Sequence, residues 1–346
     1  MEQVLIKKMF NPEGDDSIQT RRIINGNTTN IFNLNNVRYL WANQMYRTMM
    51  ANFWIPEKVD LSKDKNDYFN LTQEEGIAYD GILSFLIFLD SIQTNNLPNI
   101  SGSITAPEIN LLLAIQTFQE AIHSQSYQYI IESIVPVEKR NTLYDMWRDD
   151  EILFKRNKLV ADIYQAYIES PIMDNFVKVI VSNFLLEAIY FYNGFNFFYL
   201  LASRNKMLGT SDIIRLINRD ELSHVVLFKN IITELQKECP QLPIEEIYNN
   251  LLKEAVELEI QWTHHIIGDT ILGITKESTE QYTRWLANDR SILLGYTPLY
   301  PEEKNPYTHL MRFADVEGSG EVKSNFFEGT VTAYNMSSAV DGWEDF

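Results

Sequence analysis

Apolar residues recur three and four positions apart along most of the chain, with polar residues between them. This spacing places the apolar side chains on one face of an α-helix, whereas a half-buried strand would alternate apolar and polar residues. Such alternation is nearly missing, so the sequence predicts an all-α fold. We predict helices over residues 36–55, 72–90, 106–127 and 150–169, and, after a break at Pro171, a helix through Glu187 to Leu200. Further helices are predicted around Glu221 and His224 and over 244–268 and 276–294.

Caps and prolines mark the helix boundaries. Residues 72–75 have the Thr-x-x-Glu spacing of a capping box, in which two side chains satisfy backbone N–H groups at a helix start. Pro107 suits a first helical turn. Pro98, with nearby Gly102, is expected to interrupt the chain between two helices. Residues 209–212 are expected to form a turn and a cap before the next helix.

The two ends of the chain lack a sustained helical period. Residues 1–35 are polar and predict an extended N-terminal arm, and residues 36–314 form the helical domain. Residues 315–346 are rich in small and acidic residues and predict a flexible tail. The last five residues, 342–346, include two aromatic side chains, which favour docking on a partner protein over an inert tail.

The charge and the cysteine content restrict the class of protein. A formal net charge of −18 argues against sequence-independent binding to nucleic acid, which requires a basic surface. The single cysteine, Cys239, rules out an intramolecular disulfide and fits a reducing compartment. The N-terminus has no basic region followed by an apolar segment, so we expect a cytoplasmic protein.

Residues 179–202 are apolar enough to resemble a membrane span. However, Glu187 lies near the middle of this stretch, together with several asparagines, and an ionised carboxylate is costly in lipid. We therefore expect a helix buried inside a large bundle, without contact to a membrane.

Two short motifs carry the candidate chemistry. Glu120, His123 and Tyr127 share one helix face because they are three and four residues apart, and Glu221 and His224 repeat the Glu-x-x-His spacing. A single such pair is commonly an exposed polar pair. Two pairs, each offering a carboxylate and an imidazole, suit a divalent first-row metal.

Two further carboxylates lie inside strongly apolar helical runs. Asp90 ends the run 85–89, and Glu187 interrupts a second run. An unpaired carboxylate in such surroundings is costly, so a positive group is expected beside it, either metal ions or a basic side chain from elsewhere in the fold. Four carboxylates, two of them from the Glu-x-x-His motifs, would balance two divalent ions.

Tyr127 lies one turn beyond His123, on the same face. Phe191 and Phe195 follow Glu187 by one and two turns, and Ile214 and Ile217 precede Glu221 on its own face. If these four side chains enclosed the phenol ring, they would make a dry pocket in which an oxidised phenol could survive. Core packing alone explains the four apolar residues equally well.

At these residues the chain resembles the radical-generating small subunit of class I ribonucleotide reductase. The resemblance extends over essentially the whole sequence, and the motifs around the carboxylates and histidines are the most specific part. The segments that carry it are 26–35, 53–57, 89–93, 120–127, 187–189, 217–224 and 325–328, the last followed by Tyr334.

The resemblance implies a ferritin-like homodimer with a four-helix core around a dimetal-carboxylate site. Its metal ligands would be Asp90, Glu120, His123, Glu187, Glu221 and His224. Tyr127 would become a stable radical when the reduced metal pair reacts with dioxygen. A large subunit, bound through the C-terminal tail, would reduce ribonucleoside diphosphates to deoxyribonucleotides. The oxidising equivalent would pass between the subunits through His123, Asp220, Trp54 and Tyr334.

Four alternatives remain open from the sequence. Another di-iron oxidase, such as a ligand-binding oxidase or a desaturase, would oxidise a substrate at the metal site itself. A ferritin-like metal store would bind many ions per chain, whereas the ligand set here suits two. The ligand types accept iron and manganese alike; we expect two iron ions per chain, with manganese as the alternative. Asp220 could also serve only as a hydrogen-bond partner that orients a ligand histidine.

Overall fold

The computed structural model describes residues 3–314. Within them the chain forms helices joined by short loops, and β structure is limited to two isolated bridges, so the all-α prediction is confirmed. The helices are α1 (Leu40–Ala51), α2 (Asp64–Phe69), α3 (Gln73–Ser103), α4 (Pro107–Ile134), α5 (Val137–Asp149), α6 (Glu151–Glu169), α7 (Met173–Leu185), the π segment (Leu186–Tyr190, a π-helix), α8 (Tyr192–Ser203), α9 (Leu208–Glu238), α10 (Ile244–Ile266), α11 (Lys276–Leu293) and α12 (Met311–Ala314), with short 3-10 turns at Pro56–Lys58 and Thr308–Leu310.

Several predicted boundaries are confirmed. Thr72 caps α3 in a capping box with Glu75, in which the Thr72 hydroxyl accepts the Glu75 N–H and the Glu75 carboxylate accepts the Thr72 N–H. Pro107 is the first residue of α4. Asp150 caps α6 by accepting two backbone N–H groups. Local side-chain chemistry therefore determined these helix starts.

The predicted break at Pro98 and Gly102 is wrong, because α3 continues through both residues to Ser103. A proline inside a helix removes one backbone hydrogen bond and costs roughly 3 kcal/mol. Pro98 is exposed, whereas Leu97 and Ile100 on either side of it are fully buried. Burial of such side chains contributes about 1.5–3 kcal/mol each, which offsets the cost of the proline.

The predicted turn over residues 209–212 is also wrong, since these residues lie inside α9, which begins at Leu208. The helix start is capped from another helix. The buried Asp64 carboxylate of α2 accepts the backbone N–H groups of Gly209 and Thr210 at 3.0 and 2.6 Å. Met207, just before the helix, adopts the left-handed conformation with φ of 54°. A cap supplied by a residue about 145 positions away has no local sequence signal.

The helices α2 and α5 were not predicted. Helix α2 has only six residues, and α5 has only one buried side chain, Leu143. Neither helix therefore shows a broad apolar stripe. Helix α1 begins at Leu40, four residues later than Asn36, where the apolar period starts.

Four helical elements carry the residues of the candidate site: α3, α4, the π segment and α9. Helix α3 packs along α4, and α9 packs on α4, α7 and α8. Helices α6 and α10 cover α7 on its outer side, and α11 contacts the π segment. The stretch from α7 to α8 is consequently buried on all sides and lies at the centre of the bundle.

The apolar stretch Met173–Ser203 is long and apolar enough to cross a membrane, but 89% of its most apolar window is buried within the protein. Other helices of the same chain therefore occupy the positions that lipid would otherwise take. The structure confirms the prediction that this stretch is buried inside the helical bundle.

The N-terminal residues 3–39 contain no helix and pack against the connection between α3 and α4. Ile23 and Ile24 are buried, and the Ile23 carbonyl accepts the Thr105 N–H at 2.7 Å. Arg21 forms a buried ion pair with Glu108 of α4 at 3.1 Å. The division at residues 35 and 315 stays a prediction, and the predicted tail, with Tyr334, lies outside the described residues.

Candidate metal centre

The six predicted metal ligands come together in the structure. They form two overlapping groups, and within each group the ligand atoms lie within 4.8 Å of one another. All six side chains are fully buried. One group is Asp90, Glu120, His123 and Glu221, and the other is Glu120, Glu187, Glu221 and His224. Glu120 and Glu221 belong to both groups.

The imidazole of His123 belongs to the first group. Its Nδ1 atom lies 3.0 Å from Glu221 Oε1, 3.5 Å from Glu120 Oε2 and 3.8 Å from Asp90 Oδ2. The helical spacing of three residues within α4 places Glu120 and His123 side by side. Helices α3 and α9 then contribute one carboxylate each.

The imidazole of His224 belongs to the second group. Its Nδ1 atom lies 2.9 Å from Glu221 Oε2, 3.1 Å from Glu120 Oε1 and 3.7 Å from Glu187 Oε2. Glu187 comes from the π segment, between α7 and α8. Each histidine thus points the same ring nitrogen at three carboxylates.

The donor set fits two metal ions. Both oxygens of Asp90, Glu120 Oε2 and Glu187 Oε2 are buried without a hydrogen-bond partner among the described residues. Over residues 3–314, the ion pairs of the four carboxylates involve only the two histidines, with no lysine or arginine. The alternative of a basic side chain beside the carboxylates is therefore not supported. Oxygen and imidazole ligands in this number suit divalent first-row metals.

The charges of the metal-free cluster depend on burial and on neighbouring groups. Burial and the charge of Glu120 raise the pKa of Asp90, and burial with the charges of Glu120 and Glu221 raises the pKa of Glu187. Burial alone would lower the pKa of each histidine. The surrounding carboxylates outweigh burial, however, and raise the pKa of both His123 and His224 well above the usual range.

We expect metal binding to release protons, because a ligand must be deprotonated to bind and the pKa values of Asp90, Glu187 and both histidines are raised. Because these four pKa values are raised, the groups stay protonated up to a higher pH than usual. Protons then compete with the metal for the ligands, so the metal affinity should fall as the pH falls. Calorimetric titration with Mn²⁺ in buffers of different ionisation enthalpy measures the number of released protons. A heat that is independent of the buffer would contradict this prediction.

Three glutamines support the ligands, and the sequence analysis missed them. Glu187 Oε1 accepts hydrogen bonds from the side-chain amides of Gln93 and Gln116, the latter at 2.7 Å. Gln119 Oε1 lies 3.0 Å from His224 Nε2 and orients the imidazole, which would bind a metal ion through its other ring nitrogen. Gln93 and Gln116 are three and four residues from ligands on their own helices, so a search for polar residues on the ligand faces would have found them.

Asp220 links the metal cluster to Trp54. Its Oδ2 atom accepts a hydrogen bond from the Trp54 indole N–H at 2.8 Å and lies 3.4 Å from His123 Nε2. Arg219 binds the other carboxylate oxygen at 3.1 Å. The predicted residues Asp220 and Trp54 therefore make a continuous path that starts at a ligand histidine.

The outer end of this path is an apolar cavity beside Trp54. Phe53 and Phe118 stack in its wall with ring centroids 6.1 Å apart, and both are exposed. The indole of Trp54 is half-buried, so it lies between the metal cluster and the surface of the described chain.

Tyr127 is fully buried on α4, one turn beyond His123. Burial and the nearby charges of Asp90 and Glu221 raise the pKa of its phenol well above the usual range, so the phenol stays protonated beside the cluster. The four predicted pocket residues are also buried, and Phe191 stacks on Phe195 at 5.6 Å. Core packing predicted the same burial, so enclosure of the Tyr127 ring stays a prediction.

The helical bundle and the buried set of four carboxylates and two imidazoles define a protein of the dimetal-carboxylate class with a ferritin-like fold. Residues 31–306 match the family model for the ribonucleotide reductase small chain. The chain belongs to this family, whose members are oxidoreductase subunits.

Individual relatives agree with the family model. The chain is 45% identical to the ribonucleoside-diphosphate reductase subunit beta of Treponema pallidum, over 96% of each chain. It is similar in structure to a ribonucleotide reductase R2 subunit from Clostridium botulinum, with a TM-score of 0.88, 46% identity, and coverage of 91% of this chain and 100% of that one. The dimanganese(II)-NrdF of Streptococcus sanguinis has a TM-score of 0.72 at 21% identity, covering 82% of this chain and 98% of that one, which shows the fold alone. The oxidase and metal-store alternatives are not favoured.

Proposed function

We propose that this chain is the small subunit of a class I ribonucleoside-diphosphate reductase and that Tyr127 is its radical site. The observation that carries the proposal is a buried phenol beside a cluster of six metal-binding side chains, in a chain of this family. When bound, the metal pair would use dioxygen to supply the oxidising equivalent that removes one electron and one proton from Tyr127.

The residues around the site perform three tasks in this proposal. Asp90, Glu120, His123, Glu187, Glu221 and His224 hold the two metal ions. Burial, together with the neighbouring Asp90 and Glu221, raises the pKa of Tyr127 and keeps the phenol protonated until it is oxidised. Full burial of Tyr127 excludes water, which would otherwise quench a reactive species.

We infer iron as the resident metal, with manganese as the alternative. Both ions accept carboxylate and imidazole ligands, and their availability decides between them. Tyr127 favours a pair of like ions with a tyrosyl radical over a mixed manganese–iron pair, because the family branch with the mixed pair replaces this tyrosine.

The partners proposed for the chain are a second copy of itself, a reductase large subunit and dioxygen. The oxidising equivalent would leave the site through His123, Asp220 and Trp54, which the hydrogen bonds described above connect. Tyr334 would continue this path in the tail, which would dock on the large subunit. We also propose a cytoplasmic location, since the chain contains one cysteine and its apolar helix is buried.

Anaerobic loading with ferrous iron followed by exposure to air tests the function directly. We expect about two irons per chain, as the two ligand groups predict, and a tyrosyl signal in the electron paramagnetic resonance spectrum. Binding of many ions per chain would instead indicate a metal store. Two irons without any radical, in a protein that oxidises an added small molecule, would indicate another di-iron oxidase.

Removal of residues 326–346 is expected to leave the tyrosyl signal unchanged and to reduce turnover with the large subunit to background. The truncation keeps all six metal ligands and Tyr127 but removes Tyr334 and the aromatic C-terminus. The measurements are the radical content and the rate of deoxyribonucleotide formation. A truncated chain with full turnover would rule out the proposed role of the tail.

A further inference from the structure

The backbone of the π segment contacts two buried arginines from outside the four site elements. Arg156 of α6 donates from Nη2 to the Tyr190 carbonyl at 3.1 Å. Arg290 of α11 donates from Nε to the Ala188 carbonyl at 3.1 Å. Both arginines are almost fully buried, and neither belongs to the two groups of candidate metal ligands. The two carbonyls lie one and three residues beyond Glu187.

Hydrogen bonds from these side chains to the backbone help to stabilise a π-helical turn. It interrupts the i to i−4 hydrogen-bond ladder of the surrounding helix, and π-helices survive mostly as single turns at functional sites. Buried backbone carbonyls require partners, and charged donors make stronger hydrogen bonds than neutral ones. The guanidinium groups therefore stabilise the local backbone that carries Glu187.

Arg156 is held rigidly in place. Its Nε donates to Glu259 Oε2 at 2.8 Å, and its guanidinium lies over the rings of Phe85 and Tyr190 at 3.7 and 4.2 Å. The other oxygen of Glu259 accepts the Asn193 side-chain amide at 3.0 Å. Asn193 lies in the first turn of α8, so the Arg156–Glu259 ion pair also binds the chain just after the π segment.

Arg290 approaches from a different helix. Its Nη1 lies 2.7 Å from Asp289 Oδ2, and its guanidinium lies 5.0 Å from the centre of the Tyr192 ring. Asp289 is 40% exposed, so its charge is solvated even without the arginine. Arg156 and Arg290 thus fix the π segment from α6 and α11 respectively.

We propose that Arg156 and Arg290 are positioning residues that set the placement of the Glu187 carboxylate by holding the π segment. The proposal rests on the proposed metal-binding function. Glu187 belongs only to the group that also contains His224, whereas the group with Asp90 and His123 does not include it. Loss of either arginine should therefore weaken one of the two metal positions and spare the other.

Titration of the metal-free protein with Mn²⁺, monitored by electron paramagnetic resonance, tests the proposal. The wild-type chain should bind two ions whose spins couple and broaden the spectrum. Arg290→Met, and the double variant Arg156→Met with Glu259→Gln, should each bind one ion with unchanged affinity and give an uncoupled six-line spectrum. The second ion should bind about tenfold or more weakly, the usual effect of losing a group that orients a ligand.

The variants are chosen to keep the fold. The double variant leaves no unpaired charge from this ion pair in the core, which would be strongly destabilising. In Arg290→Met, the described ion-pair partner, Asp289, is half-exposed and stays solvated. Arg290→Lys keeps a cationic donor at the same place and should recover much of the second site. Failure of the lysine variant to bind better than the methionine variant would count against the proposed hydrogen bond.

A matched control separates placement of Glu187 from general stability. The pair Arg21 and Glu108 is equally buried but joins the N-terminal segment to the first turn of α4, away from the ligand residues of that helix. The double variant Arg21→Met with Glu108→Gln should therefore lower the melting temperature and retain two coupled ions. Two coupled ions of wild-type affinity in the arginine variants, or equal weakening of both positions, would overturn the proposal. A wild-type chain that binds no metal pair would instead refute the proposed function.

Discussion

The Tyr127→Phe variant is expected to lack the tyrosyl signal completely while still binding about two metal ions per chain. The substitution removes one oxygen from a fully buried ring, and phenylalanine has no O–H from which an electron and a proton can be removed. The six predicted metal ligands remain in place. We expect the free energy of unfolding to change by no more than about 1 kcal/mol, because the Tyr127 hydroxyl has no hydrogen-bond partner among the described residues that its loss would leave unsatisfied.

The measurements are resonance spectroscopy after ferrous loading in air, a metal count and the rate of reductase turnover. Tyr79→Phe is the matched control, since Tyr79 is also fully buried and lies on the helix that carries Asp90. The control should keep both the radical and the turnover. An identical radical in Tyr127→Phe would refute the assignment, and a loss of metal would show that Tyr127 has a structural role instead.

The ligand set was predictable because its signals are local. Glu120 with His123, and Glu221 with His224, are close in sequence, and helical spacing alone places the members of each pair on one face. Asp90 and Glu187 were recognisable because charged residues are rarely found inside long apolar runs unless a partner compensates them. The structure brings all six side chains together in two overlapping groups.

The missed features depend on contacts between distant segments. Helix α9 begins where Asp64, from a helix too short to be recognised, caps its first turn. Pro98 stays within a helix because the neighbouring buried residues outweigh its local cost. Propensity and periodicity describe only neighbours in sequence, so neither feature could be read from the pattern.

The π segment shows the same limit at the site itself. The sequence predicts a continuous α-helix through Glu187, but the structure contains a π-helical turn at Leu186–Tyr190. The predicted alignment of Phe191 and Phe195 with Glu187 assumed 3.6 residues per turn throughout, and a π-helical turn changes that register. The partners that stabilise this turn, Arg156 and Arg290, come from two other helices.

The Trp54→Phe variant is expected to form the Tyr127 radical normally and to lose turnover with the large subunit. The Trp54 indole N–H donates to Asp220 at 2.8 Å, and phenylalanine provides neither this hydrogen bond nor an oxidisable indole. Metal content and radical yield should match the wild type, because Trp54 is not among the six candidate ligands. Trp41→Phe is the matched control, since the Trp41 indole N–H has no hydrogen-bond partner among the described residues.

Loss of turnover in Trp54→Phe has two explanations, which a competition assay distinguishes. Trp54 lies beside exposed apolar side chains, including Phe53, so the variant could dock poorly on the large subunit instead of failing to transfer the oxidising equivalent. A variant that docks normally should inhibit the wild-type subunit when the two compete for a limiting amount of large subunit. Strong inhibition would therefore assign Trp54 to the transfer path. Absence of inhibition would place it in the docking surface, and normal turnover of Trp54→Phe would exclude both roles.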